Sequence, residues 1–425
     1  MKPNEPQRPA AAAFARLIRK LGTALTRRIY RIRTVHPERL PRSGGALLLP
    51  NHVTLADSFF IATAANRDIR FVMDDAFTSN RWIRSFTKLF ETVMIRREHA
   101  IEAIRTVIDA IGRGDLICLF PEGQLTRTGS LCPLQRGFTL ITRKTGTHPV
   151  IPAWCDGSWG SLFSFERGRF LAKFPRRGAK GLFVAFGNPI PPGECSPRRV
   201  RDAMLEASAD AITARFHCHP VGSRLLHKFT IPGQSSPHPD EVRRFLANGH
   251  QIGMLNALPW RNRIRFLADD PVPRGLHGPL TAFAILFGAK TVPQTRFNPS
   301  AGGCWIGGER LRDAIRSSPP DAPTRFLDFG NDATRMTPLP QLTHLPCLAI
   351  AERVVSMSLP DPPPPAEDVP PQHGTRTGSR GRLLPGWFPL TPDDGRGSLK
   401  GPAAPEGIRL PEGWLVDDEG FVMEA

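Results

Sequence analysis

The run Asn51-His52-Val53-Thr54-Leu55-Ala56-Asp57 places a histidine and an aspartate with four residues between them. Moving an acyl group onto an alcohol needs a base that works near neutral pH, and imidazole suits that task. A carboxylate on the other ring nitrogen would fix the tautomer and stabilise the imidazolium. No serine or cysteine nucleophile is then needed, because the acceptor hydroxyl can attack a thioester directly. Alone the pair is a weak signal. Twelve histidines give many chances of an aspartate at this spacing, and Asp57 would serve equally as a cap for a helix starting near Ser58.

The surrounding residues change the odds. Phe120-Pro121-Glu122-Gly123 follows an apolar run, with Thr126, Arg127 and Gly129 just after it. A Pro-Glu-Gly turn off a strand end presents backbone N–H groups, and nearby cations can then hold a phosphate. Upstream, Thr92-Val93-Met94-Ile95-Arg96-Arg97 ends a strand in two arginines; downstream stands Val150-Ile151-Pro152. Arg96 and Arg97 also read as plain surface cations. Trp154, Trp159, Phe163 and Phe165 suggest either an acyl tunnel or ordinary core. His217-Cys218-His219 lacks a further Cys/His set at zinc spacing, so no metal is expected.

The ordered set resembles the glycerolipid acyltransferase family, which includes the lysophosphatidic acid acyltransferases. That family shows His-x4-Asp, a strand ending in Arg, Phe-Pro-Glu-Gly, and an apolar strand carrying Pro. The resemblance implies His52 as general base and Asp57 as its orienting partner. It implies Arg97, Glu122 and Gly123 as the grip on the acceptor's glycerol phosphate, with Asn51 beside them and Pro152 at the floor of the site; Arg127 would replace a cation displaced from the family's position. It implies no cofactor, with acyl-CoA or acyl-carrier-protein as donor substrate. Phe120–Leu131 with Gly137, Lys144, Gly146 and Gly157 looks like one branch, the acyltransferase half of bifunctional enzymes that reacylate 2-acylglycerophosphoethanolamine and also activate fatty acids. Two positions depart from the family: Glu91 stands where Gly is frequent, and Gln124-Leu125-Thr126 where Thr-Arg-Ser is frequent. They bear on the acceptor headgroup more than on the reaction.

Elements must hold these residues in place. Candidate strands are Ala46–Leu49, Arg70–Met73, Thr92–Ile95, Leu116–Phe120, Val150–Cys155 and Leu182–Phe186. They alternate with candidate helices at Ser58–Ala65, Asn80–Leu89, His99–Arg113, Leu134–Lys144 and Pro197–His217. This rhythm predicts an α/β fold with a largely parallel sheet flanked by helices, whose chemistry collects beyond the carboxyl ends of the strands. Before it, Phe14, Leu17, Ile18, Leu21, Leu25, Ile29 and Ile32 recur at helical steps over Ala11–Arg33, with arginines and Lys20 mostly off that stripe. Such a basic amphipathic helix suits a membrane interface or a packed partner.

The 425 residues carry a formal charge of +17. Anionic lipid, nucleic acid and acidic carriers would all be attracted; without a recognition module, nucleic acid is not expected as a partner. No apolar run of about 18 residues suggests a spanning helix, and no secretory signal is evident. The expected place is the cytoplasmic face of a membrane, peripherally bound. Seven scattered cysteines without a Cys-x-x-Cys pair read as reduced thiols.

The domain reading is 1–40 for a polar start and the surface helix, 41–220 for the acyltransferase, and 221–425 for an irregular region with a Pro-rich linker at 359–371. Met254–Pro259, Gly288-Ala289-Lys290, Trp305–Leu311, Gly381–Gly386 and Gly413–Phe421 resemble, faintly, adenylate-forming acyl-activating enzymes. No Ser/Thr/Gly-rich phosphate loop accompanies them, so the region reads as a shortened remnant without adenylation activity. The expected function is transfer of a fatty acyl group from a thioester to a lysophospholipid or acylglycerol phosphate. The alternative is an inactive lipid-binding protein of the same fold.

Overall fold

Runs such as Ala46-Leu47-Leu48-Leu49 are apolar without alternation, which suits strands covered on both faces. The computed structural model describes residues 9–65, 67–75, 87, 90, 92–95, 100–161, 163–165, 181–217, 219–231, 233–254, 263–270, 272, 275–331, 333, 336–362, 370–390 and 397–424. The chain divides into two compact units. The first comprises Met1–Leu125, Leu134–Ser158 and Lys180–Ala207; the second comprises Thr126–Pro133, Trp159–Ala179 and Ser208–Ala425. The division after Ala207 falls inside the helix Pro197–His217.

The first unit is built on a seven-stranded sheet in the order β1-β7-β6-β2-β5-β3-β4. These strands are β1 (Arg33–Val35), β2 (Ala46–Pro50), β3 (Ile69–Asp74), β4 (Val93–Ile95), β5 (Leu116–Cys118), β6 (Val150–Asp156) and β7 (Phe183–Phe186). All neighbours are parallel except β6 and β7. Alternate residues of the strands bury Leu48, Phe71, Cys118, Ile151 and Val184 against Phe60, Ile61 and Ala64 of helix α2 (Asp57–Ala64). The helix Ala100–Gly112 packs on β4 and β5 and on the helix Gly137–Thr145. The layered, mainly parallel α/β arrangement is the one expected. The candidate helix Asn80–Leu89 lies outside the described residues, apart from Thr87.

The N-terminal helix α1 runs from Pro9 to Tyr30, shorter at its end than the apolar period suggested. Arg31 takes a left-handed backbone (φ 50°), which ends the helix. Ile32 then turns into the core and Arg33 opens β1 beside β7. The helix docks on α2 where Arg27 donates to the Thr63 carbonyl and Tyr30 meets Phe60 edge-on, and Arg19 reaches Asp68, beyond α2, at 3.4 Å. Its apolar stripe faces outward, with Leu21, Leu25 and Ile29 each about 60% exposed. No helix among the described residues is long and apolar enough to cross a membrane.

The second unit corrects the expectation of an irregular C-terminal region. It contains a nine-stranded sheet, β18-β19-β14-β13-β12-β11-β10-β8-β9, and a three-stranded one, β15-β16-β17. The first parallel strands are β8 (Arg263–Leu267), β9 (Lys290–Gln294), β10 (Gly303–Gly307) and β11 (Thr324–Asp328). Long β12 (Leu342–Ile350) continues parallel to β11, then pairs antiparallel with β13 (Arg353–Met357). β14 (Ser379–Leu383), β18 (Trp414–Val416) and β19 (Phe421–Glu424) extend the antiparallel part. β15 is Phe388–Pro389, β16 Ser398–Gly401 and β17 Ala404–Arg409.

Prolines hid these strands from hydropathy reading. Pro293 and Pro405 lie on edge strands, where a missing N–H costs no ladder bond. β14 reads Ser-Arg-Gly-Arg-Leu yet is buried throughout. Its Gly381 is required: a Cβ there would lie 2.0 Å from the Met357 carbonyl carbon. Inside the unit, Asn248 clips its helix (Pro239–Gly253) to β13 by bonds to both the Val354 carbonyl (2.8 Å) and amide (2.9 Å). Of the stretch expected as a linker, 363–369 lies outside the described residues, while Leu359 is buried in the core.

Candidate active site

β2 and β5 are parallel neighbours, so the loops that leave them emerge at the same end of the sheet. The loop after β2 carries His52 and the loop after β5 carries Glu122. They meet there: the His52 backbone N–H donates to Glu122 Oε1 at 2.6 Å. β6 lies on the other side of β2. Asn51 bonds it twice, accepting from the Cys155 N–H at 2.7 Å and donating to the Cys155 carbonyl at 3.3 Å. The residues before and at the histidine are thus pinned from both neighbouring strands.

Asp57 begins α2, but it is not the cap of that helix. The N-cap is Ala56, without a side-chain capping bond. The Asp57 carboxylate turns back into the preceding loop. Oδ2 accepts the amides of Val53 (2.6 Å) and Thr54 (2.7 Å), and Oδ1 accepts the Thr54 hydroxyl at 2.7 Å. The same Oδ2 lies 3.2 Å from His52 Nδ1. Asp57 is fully buried, while the His52 side chain keeps 18% exposure. The imidazole stacks on Phe120, with ring centres 3.8 Å apart and planes at 17°.

This geometry has a chemical reading. A carboxylate within bonding reach of Nδ1 favours the proton on that nitrogen and leaves Nε2 as the basic atom. Stacking on Phe120 and the Asp57 bond fix the ring plane. The resemblance placed Glu122 on the acceptor; its carboxylate is buried against the His52 amide, so it also sets where the histidine backbone sits. That second role was not legible in sequence, because it depends on the pairing of β2 with β5. The nearby Cys118 is a fully buried thiol that burial, and then the charge of Asp57, push well above its ordinary value, so it is no thiolate nucleophile.

The other expected residues fall in different places. Gly123 follows in the turn at φ +65°, a conformation that favours glycine, and its amide bonds the Phe120 carbonyl at 3.1 Å. Pro152 is buried on β6 opposite Leu49, and its carbonyl accepts the Gly187 amide at 2.8 Å. Arg97 lies outside the described residues. Arg127 belongs to the second unit, where its guanidinium lies over Phe165 at 5.1 Å. Trp154 is core of the first unit, and Trp159 and Phe165 are part of the second. Cys218 lies outside the described residues. Among the described residues no group of three or more His, Cys, Asp or Glu is arranged to hold a metal.

Residues 31–156 match the family model described as Acyltransferase. That span runs from the end of α1 through β6 and contains His52, Asp57, Glu122 and Pro152. Among solved structures, the 1-acyl-sn-glycerophosphate (LPA) acyltransferase PlsC from Thermotoga maritima is similar at 17% identity. The likeness covers 51% of this chain and 86% of that one, with a TM-score of 0.39. A fatty acyl CoA synthetase from Mycobacterium tuberculosis is similar at 13% identity over 90% of this chain and 68% of its own, with a TM-score of 0.30. The N-terminal domain of FACL13 from the same organism is similar at 12% identity, over 90% of this chain and 86% of its own, with a TM-score of 0.30. Likenesses this loose carry no argument about either unit.

Proposed function

We propose that the chain transfers a fatty acyl group from an acyl thioester to the hydroxyl of a lysophospholipid or acylglycerol phosphate. The observation that carries this reading is the His52 imidazole, held through Nδ1 by a buried carboxylate and still partly exposed. His52 Nε2 takes the proton of the acceptor hydroxyl as its oxygen attacks the thioester carbonyl. The tetrahedral intermediate collapses by breaking the C–S bond, and the leaving thiolate takes the proton back from the imidazolium. Asp57 keeps its charge throughout and stabilises the imidazolium. Arg97 and Gly123 hold the acceptor's phosphate, Asn51 and Glu122 fix the loop, and Pro152 shapes the floor.

No cofactor takes part; acyl-CoA or acyl-carrier-protein is the donor. The outward apolar stripe of α1, together with half-exposed Leu55 and Phe59 beside the His52 loop, supports binding to the cytoplasmic face of an anionic membrane. The net charge of +17 points the same way.

A panel assay tests the reading. Labelled acyl-CoA and acyl-carrier-protein are offered with lysophospholipids of several headgroups and with glycerol 3-phosphate on liposomes. Acyl ester formation with at least one pair is the expected result, and the preferred acceptor identifies the branch. A folded, liposome-bound protein that forms no ester with any pair would leave only lipid binding.

A further inference from the structure

Thr54 stands two residues after His52 and three before Asp57, in the loop that joins β2 to α2 within the first unit. It is fully buried, whereas its neighbour Leu55 is half exposed. A buried hydroxyl is rarely left without partners, and this one has two. It accepts the Ala56 amide at 3.2 Å and donates to Asp57 Oδ1 at 2.7 Å. The direction follows from the protons: an amide can only donate and a carboxylate only accept, so the single hydroxyl proton goes to Asp57. The Thr54 amide also bonds Asp57 Oδ2 at 2.7 Å, and its carbonyl accepts the Asp57 amide at 3.2 Å.

The two carboxylate oxygens are loaded unequally. Oδ2 meets three donors: the Val53 amide at 2.6 Å, the Thr54 amide at 2.7 Å and His52 Nδ1 at 3.2 Å. Oδ1 has, among the described residues, the Thr54 hydroxyl alone. Rotation of a carboxylate about its bond to Cβ is soft, because such torsions are broad and roughly two-fold. Leaving Oδ1 buried without a bond is costly. Without the hydroxyl the carboxylate would turn to share the two amides between its oxygens. Its longest contact, the one to Nδ1, would be the first to go.

We propose that the Thr54 hydroxyl is a positioning group for acyl transfer: by holding Oδ1 it keeps Oδ2 on His52 Nδ1, and so keeps Nε2 as the basic atom. Its effect on rate rests on the function proposed above; its effect on the tautomer does not. A hydroxyl that merely closed the loop would matter for stability and leave the imidazole of the folded protein unchanged.

The test uses the full chain with two variants. Thr54→Val keeps the shape and loses the hydroxyl; Thr54→Ser keeps the hydroxyl and loses the methyl. Nitrogen NMR spectra of histidine-labelled protein show which ring nitrogen carries the proton, and the His52 signals are those lost in His52→Ala. Acyl transfer and urea denaturation are measured in parallel. Wild type and Thr54→Ser are expected to carry the proton of the neutral imidazole on Nδ1. Thr54→Val is expected to shift a large share of it to Nε2 and to lower kcat by about 10-fold, the scale of one lost hydrogen bond to a charged group. KM should stay within about 2-fold of wild type, since a fully buried hydroxyl makes no contact with the acceptor. Thr54→Ser should match wild type in both readouts. A proton on Nε2 in wild type, or an unmoved tautomer in Thr54→Val, overturns the proposal whatever the urea midpoint does. A shifted tautomer with unchanged kcat overturns the positioning role. Equal losses in Thr54→Val and Thr54→Ser assign the effect to the methyl and overturn the role of the hydroxyl. If the wild type transfers no acyl group, the function above fails, and the tautomer alone decides the role of Thr54. Should Thr54→Val not fold, Thr54→Ala read against Thr54→Ser carries the decision.

Discussion

Asp57 in the first unit and Asp328 in the second are both fully buried, and each lies against a histidine: His52 at 3.2 Å and His344 at 2.9 Å. The resemblance ends at their other partners. Asp57 is surrounded by neutral donors, two backbone amides and a hydroxyl. Among the described residues no lysine or arginine pairs with it. Asp328 instead takes both arms of the buried Arg312, at 2.7 and 2.9 Å, and the Gly330 amide at 2.9 Å. Arg312 already neutralises that carboxylate, and His344 adds one more hydrogen-bond contact to it. In the first unit the imidazolium formed during proton transfer would be the only described cation bonded to the carboxylate. An aspartate–histidine contact therefore says little until the remaining partners of the carboxylate are known.

The largest expected contrast is kinetic. His52→Ala should lower acyl transfer by about 100-fold or more with the fold intact, while His344→Ala leaves kcat/KM near wild type. Equal losses in assays of acyl ester formation would erase the distinction between the two pairs.

A contrast in stability should come next. Arg312→Met leaves Asp328 buried without its cation and should destabilise the second unit by about 3–5 kcal/mol, as read by urea denaturation. The same pair gives an acid dependence. Burial pushes the Asp328 carboxyl up, but the bonds from His344 and Arg312 outweigh it and hold it below the ordinary value of 3.8. A depressed carboxylate contributes stability that is complete above its unfolded value and is lost as the pH falls through the folded one. Denaturation midpoints of wild type should thus fall as the pH drops below about 4, with a smaller fall in Arg312→Met. A parallel fall in both proteins would show that Arg312 does not hold the carboxyl down.

The smallest expected effect concerns the surfaces. Exposed large apolar residues gather on the first unit, at Leu17, Ile18, Leu21, Leu25, Ile29, Leu55 and Phe59. Leu415 is a comparably exposed residue on the second. Leu25→Asp should weaken co-sedimentation with anionic liposomes by about 10-fold, and Leu415→Asp should leave it unchanged. Equal behaviour of the two variants would remove α1 from the membrane reading.

The units also differ in how far their sequences disclosed them. β2, β5, β6 and β7 were visible because strands covered on both faces are nearly continuously apolar, and β3 through its Phe71-Val72-Met73 run. The helix Pro197–His217 was found at its observed ends. Strands β14 and β17 were missed because they place Arg, Gly and Pro in positions that only neighbouring strands make tenable. The burial of β14 comes from partners far along the chain, such as Phe421 beneath Arg382.

The sequence alone determined the types and spacing of His52, Asp57 and Glu122, the α/β rhythm that carries them, and the apolar stripe before it. Those are local properties, set by side-chain chemistry and by period. Tertiary structure decided that Asp57 turns back into its loop instead of capping α2, and that Glu122 meets the His52 amide. It also decided that, within the second unit, Arg382 of β14 reaches the Leu131 carbonyl at 3.0 Å. The last two depend on which parts of the chain become neighbours, and strand pairing is fixed by packing of the whole chain, beyond the reach of any local pattern.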